Sequence, residues 1–284
     1  MNLAGAAARP ADGRSGRFDL SFHRSGERTR LGRQFVSYPF HLTRPFMLDP
    51  ALPGLTTVYQ QSCSGGLYRA DRLELRIVVG PAAAVHLTTQ AATVVHDCRG
   101  REVEQRTHVR LDPGSFLAWT PDPLVLMPGA AVTSRTEVTL GESAVALLSD
   151  AFARHPLGGR PPGPDRLDGD VVVRDRDGLL GCRDRWSLDA DDLARPDSPL
   201  GVFPIAATHL LLGPAHRLPT RAAVEAAVAG AAAAVSGVSA LPNRQGWSVR
   251  VLAHDAVVER SIATALFVLA TRAALGAEPR RRPK

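Results

Sequence analysis

Apolar and polar residues alternate with a period of two over most of the first half of the chain. Leu73, Leu75 and Ile77 alternate with Glu74 and Arg76, the signature of a half-buried strand. Ala83, Val85 and Leu87 repeat it after the turn at Gly80-Pro81. Val103, Gln105, Thr107, Val109 and Leu111 share one face against Glu104, Arg106, His108 and Arg110. Val132, Ser134, Thr136, Val138 and Leu140 oppose Thr133, Arg135, Glu137 and Thr139. Strand signals from Gly16 to about Leu140 recur every 15–25 residues with no helical stretch between them. This spacing predicts an all-β sheet stack or a solenoid-like coil of strands rather than βαβ units. A loop is expected over 153–168, with further strands at Val171–Arg174, Gly181–Leu188, Ala206–Leu212 and Trp247–Leu252. The texture changes near Thr220. An Ala-rich helix is predicted from Thr220, its N-cap, to Val235. A second, amphipathic helix is predicted over Asp255–Leu275, with Val257, Val258, Ile262, Leu266, Leu269 and Ala273 on its apolar face and Gly276 as terminator.

Composition refines this picture. At 284 residues the chain can bury a large core without disulfide or metal staples. Gly (25) and Pro (22) point to many turns and hence short elements. The net charge of +6 would suit a nucleic-acid binder, but the arginines are interleaved with acids, as in Arg174-Asp175-Arg176-Asp177, and aromatics make up only 5%. No nucleic-acid partner is therefore expected. Three widely spaced cysteines fit a reducing compartment. Residues 1–15 lack an apolar signal-peptide core and read as a disordered tail, and 279–284 as a basic tail. No apolar run approaches the ~20 residues of a membrane span, so a cytoplasmic protein is expected.

The local chemistry is sparse. Nucleophile-elbow, P-loop, dinucleotide-binding and HExxH motifs are all missing from the sequence. The clearest irregularity is Ser64-Gly65-Gly66-Leu67-Tyr68-Arg69-Ala70-Asp71-Arg72, where the glycine pair permits positive φ and close backbone approach. His86 and the trio His96-Asp97-Cys98 supply metal-ligand types without a closed ligand set.

Five blocks in order resemble the urease accessory protein UreD (UreH) family: Arg44-Pro45-Phe46; Ser64 to Leu67 leading into Asp71-Arg72-Leu73; Leu87 to Thr93; Leu117 to Pro121 with Met127 to Ala130; and Trp247 to Ala253, which contains Arg250. The resemblance covers residues 16–278 as one domain. It departs from the family pattern where Tyr68, Arg69 and Ala70 stand in place of glycines, and in Val94 to Cys98. It implies a β-helix-like stack of strands with two α-helices in the C-terminal part. It also implies a non-enzymatic scaffold that binds apo-urease, UreF and the GTPase UreG, assists Ni²⁺ delivery, and permits carbamylation of the urease bridging lysine. No tightly bound cofactor is implied, only Ni²⁺ in transit. A delivery protein must release its metal: at a Kd of ~1 nM and an on-rate of ~10⁷ M⁻¹s⁻¹, release takes place at only ~10⁻² s⁻¹. Scattered single ligands suit transit better than a cage. The candidates on or beside the matched blocks are Asp71, His86, Thr88 and Thr89, with His96 and Cys98 as additions particular to this chain. Thr88 and Thr89 lie on opposite strand faces, so at most one lines any single cavity.

Two other readings compete. One is a secreted-type β-solenoid enzyme acting on carbohydrate, with Asp71 and Glu74 as the nominated carboxylate pair, although residues three apart point to opposite faces of a strand. The other is a UreD-like protein that has lost its urease partners.

Overall fold

The computed structural model describes residues 13–155, 164–194, 197–198, 200, 202–229 and 233–282. The period-two runs are strands, and they coil. The chain opens with a hairpin, β1 (Ser15–Ser25) and β2 (Arg28–Val36), followed by β3 (Phe40–Leu42) and β4 (Leu55–Ser62). Next come β5 (Arg72–Val79), β6 (Ala84–Thr89) and β7 (Thr93–Val95), then β8 (Val103–Leu111), β9 (Phe116–Thr120) and β10 (Leu124–Leu126). The pattern continues with β11 (Ala131–Leu140), β12 (Val145–Arg154), β13 (Arg166–Asp175) and β14 (Leu180–Asp189). A short α1 (Ala190–Ala194), β15 (Ile205–Leu212), α2 (Arg221–Ala229), β16 (Ala234–Ala240), β17 (Gly246–Ala253) and α3 (Ala256–Leu275) complete it.

Each turn lays one strand on each of two facing sheets, giving a β-solenoid of about four turns. The first sheet has the order β14-β13-β11-β8-β5-β1-β2; the second runs β16-β17-β15-β12-β9-β6-β4-β3, with β7 and β10 forming a narrow third side beside β12. Pairing from β1 through β13 on the first sheet, and from β4 through β12 on the second, is parallel. Parallel register stacks equivalent positions: Ile77, Val109 and Val138 form one inward column, and Val79, Leu111 and Leu140 the next. These columns build the core between the sheets.

The second sheet is buried on both faces, which explains its near-continuous apolar runs. Ala146, Leu148 and Phe152 of β12 face the first sheet, whereas Val145, Leu147 and Ala151 face the helices. α3 packs there through Ile262, Leu266, Phe267 and Ala270. Its start is fixed by Asp255, whose side chain accepts from the N–H groups of Val257 and Val258, and its end by Gly276 at φ 83°.

Five expectations change. The N-terminal tail of 1–15 overlaps the fold: Ser15 opens β1, and residues 1–12 lie outside the described residues. The Ala-rich helix stops at Ala229. Val235 and Val238 instead pair with Leu252 and Val249 on β17, where a sheet edge outweighs alanine propensity. On α3 the apolar face is rotated: Val257 is 77% exposed, and Glu259 is buried. The basic tail is docked, because Arg282 reaches the buried Asp49 carboxylate at 2.7 Å and stacks over the Phe267 ring. The loop at 153–168 shrinks between β12 and β13, and 156–163 fall outside the described residues.

Candidate functional site

The inward face of a strand need not be wholly apolar. Gln105, Ser134 and Thr136 occupy inward positions on β8 and β11, and Asp150 and Thr208 do so on β12 and β15. Stacked by the parallel register, they line a slot of about 340 Å³ between the two sheets. Its wall crosses β4, β6, β9, β12 and β15, four strand spacings or about 19 Å along the solenoid axis. Leu73, Leu75, Trp119 and Leu148 add apolar wall, and Gly65, Gly66 and Ser64 border it at the β4 end.

The glycine loop is an extra rung. Leu67 N–H donates to Val94 O and His96 N–H to Leu67 O, so the loop pairs with β7. Gly66 sits at φ 138° with room for no Cβ, which would fall 2.3 Å from Val94 O. Asp71 closes the rung. Its carboxylate accepts from Arg14 N–H at 3.1 Å, Arg14 Nε at 3.0 Å, Arg14 Nη2 and Tyr68 N–H at 2.9 Å. Arg14 also donates to Gly66 O and lies over the rings of Tyr38 and Tyr68. Arg72 points outward and Leu67 is buried.

The six candidate residues therefore separate. Thr89 lines the slot, where its hydroxyl donates to Asp122 Oδ2 at 3.0 Å. Thr88, on the opposite face, donates to Thr120 O at 2.6 Å. His86 shares that outer face: its ring stacks on Phe267, its Nε2 meets Thr120 Oγ1 at 2.9 Å, and its Nδ1 accepts from Arg282 Nε at 3.1 Å. Asp71 is 1% exposed and saturated by Arg14 and Tyr68, which makes it a clamp for the loop. His96 stacks on Tyr68 with ring centroids 4.5 Å apart and meets Gly65 O at 3.0 Å. Cys98 is buried, donates toward His96 O and Ala131 O, and accepts from Ala131 N–H; burial pushes its thiol pKa up. The His96 and Cys98 side chains thus have different partners. Among the described residues no three His, Cys, Asp or Glu side chains cluster as a metal cage.

The slot's carboxylates were invisible as a set in the sequence. Asp122 takes Thr89 on one oxygen and Arg260 of α3 on the other. Asp150 is half-buried in the wall of the slot, and burial, helped by the Asp184 charge, raises its pKa to about 6. Asp184 is held by Arg250, which also reaches Thr208 Oγ1 at 3.4 Å, so Arg250 ties the second sheet to the first at this end of the slot. One signal could have found them: polar residues at inward-phase strand positions.

Fold and site define a β-solenoid scaffold built around an axial slot of hydroxyls, amides and carboxylates. Residues 14–284 match the family model of the UreD urease accessory protein. A urease accessory protein UreD 1 of a Bradyrhizobium species is 41% identical over 274 residues, covering 96% of both chains. One from Methylorubrum extorquens is 40% identical over 98% of this chain and 95% of its own, and one from Pseudomonas syringae pv. tomato 36% identical over 89% and 90%. The chain belongs to the UreD family, whose members are accessory proteins and not enzymes. No helix among the described residues is long and apolar enough to cross a membrane.

Proposed function

We propose that this chain is a scaffold for urease maturation. It binds the urease apoprotein together with UreF and UreG in the cytoplasm and passes Ni²⁺ toward the urease active site. The observation that carries this reading is the axial slot, in which Thr89, Asp122, Asp150 and Asp184 offer oxygen ligands in sequence along one wall and the facing sheet. Hard oxygen donors presented one or two at a time bind a divalent cation weakly enough to release it. His86, Thr88 and Cys98, turned away from the slot, are structural in this reading, and His96 with Tyr68 borders the glycine loop. The saturated Asp71 leaves no carboxylate pair with Glu74, which disfavours carbohydrate hydrolysis.

The test is co-expression with urease subunits, UreF and UreG from one source, followed by size-exclusion chromatography and urease assay. Co-elution with UreF, and loss of urease activity when this chain is omitted, is the expected result. Elution alone with urease activity unchanged on omission would overturn it. Asp150→Asn/Asp184→Asn should leave co-elution intact and lower the nickel content of the urease formed.

A further inference from the structure

The second sheet is covered on both faces; the outer face of the first sheet is not, and its charge is unbalanced. Parallel register from β1 to β13, extended by the antiparallel β14, lines up Arg17, Glu74, Arg106, Arg135, Asp170 and Arg185 as one outward row, four guanidinium groups against two carboxylates. Within it Arg106 and Arg135 are direct neighbours on adjacent strands, a destabilising like-charge pairing that the Glu104 carboxylate, 3.4 Å from Arg106, offsets only in part. A second row runs Ser21, Val78, Arg110, Thr139, Arg174. The short side chains of Val78 and Thr139 flank Arg110 and open a surface depression of about 310 Å³, which Arg76, His108 and Glu137 also line. His108 and Glu137 approach to 3.4 Å and Arg110 lies 3.5 Å from Asp112. Among the described residues Arg76 and Arg135 make no ion pair within 4.0 Å, although Arg76 lies beside Asp19 and Arg135 beside Asp170 in the register.

We infer that this outer face is the dock for an acidic surface of the urease apoprotein, with a carboxylate side chain of that surface entering the depression between Arg76 and Arg110. The inference rests on the scaffold reading above. Charge complementarity makes the occupant acidic, and the scaffold reading makes it the urease apoprotein. Guanidinium forks match carboxylates two bonds at a time. A polyphosphate backbone is disfavoured by Glu74 and Asp170 within the first row and by Glu137 at the depression. An apolar partner would leave the arginines desolvated and unpaired. Such a dock makes association fall with salt, since the face is exposed and screened.

The experiment measures binding of the purified chain to its urease apoprotein by titration at about 50 mM and about 300 mM salt. The wild type is compared with Arg76→Gln/Arg110→Gln, with the reversal Arg76→Glu/Arg110→Glu, and with Arg221→Gln on the exposed side of α2 as control. We expect about tenfold weaker binding for the neutral double variant, more for the reversal, and a steep loss with salt for the wild type. The control should bind as wild type. Unchanged circular dichroism and melting temperature establish that each variant is folded. Equal binding by wild type and both double variants, or salt-insensitive binding, would overturn the dock while leaving the scaffold reading standing. No binding by the wild type would overturn that reading itself.

Discussion

Single residues in the glycine loop show what its backbone path costs. Ala70 adopts φ 59°. An alanine in the left-handed region is disfavoured by about 1–2 kcal/mol. Ala70→Gly should therefore raise stability by about 0.5–1 kcal/mol, read as a higher denaturation midpoint with the slope unchanged. Tyr68 and His96 stack on each other. Two residues that look independent in the sequence form one contact, and the effects of replacing them should be non-additive in a double-mutant cycle. Asp150 carries the clearest pH signature. Its folded pKa of about 6 lies above the model-compound value of 3.8, so its protonated form favours the fold. That contribution is full below about pH 3.8 and fades as pH rises through 6. Asp150→Asn should accordingly be more stable than wild type by about 1–2 kcal/mol at pH 7.5 and about equal to it near pH 4, by thermal melts across that range, because about 1.4 kcal/mol per unit is reduced by solvent in the slot.

Among the elements, α3 joins the solenoid through polar groups as well as apolar ones. Glu259 on its first turn lies 3.8 Å from His209 of β15, whose Nδ1 meets Ser149 Oγ at 2.9 Å. The His209–Glu259 gap is too long for a hydrogen bond, and burial lowers the His209 pKa from 6.5 to about 4. A depressed folded pKa contributes stability above pH 6.5 that is lost as pH falls through 4. His209→Gln should flatten the acid limb of the stability profile over that window. Beyond Gly276 the chain straps back: Arg280 N–H donates to Asp49 Oδ1, and Arg282 Nη1 and Nη2 reach both oxygens of Asp49. Removing one member of a buried pair strands the other charge. Arg282→Ala should cost about 3–5 kcal/mol, and Arg282→Leu/Asp49→Leu much less, measured by urea unfolding.

For the whole molecule, the slot and the charged face follow from one device: parallel register turns a period-two sequence into columns. The alternation was legible. Leu73, Leu75 and Ile77, and likewise Val109, Leu111 and Val138, are strand positions whose inward face can be read from the chain itself, because alternation is a local consequence of strand geometry. Asp255 and Gly276 bound α3 for equally local reasons, and five ordered blocks were enough to place the family. The slot was only half legible. Gln105 and Thr136 stand in phase with core residues, yet nothing in the chain says that β8 lies beside β11, or that Asp150 on β12 faces Asp184 on β14. Arg14 and Arg282 look like parts of charged tails until the fold brings Asp71 and Asp49 to them, 57 and 233 residues away in sequence. His86 and Thr88 look like ligands until the helices cover their face. The sequence by itself determined the strands, their inward phase, the caps and the family, since these depend on near neighbours along the chain. Only the tertiary structure decided which polar residues share a cavity, which arginines are clamps and which form an open face, because those assignments depend on contacts between segments far apart in the chain.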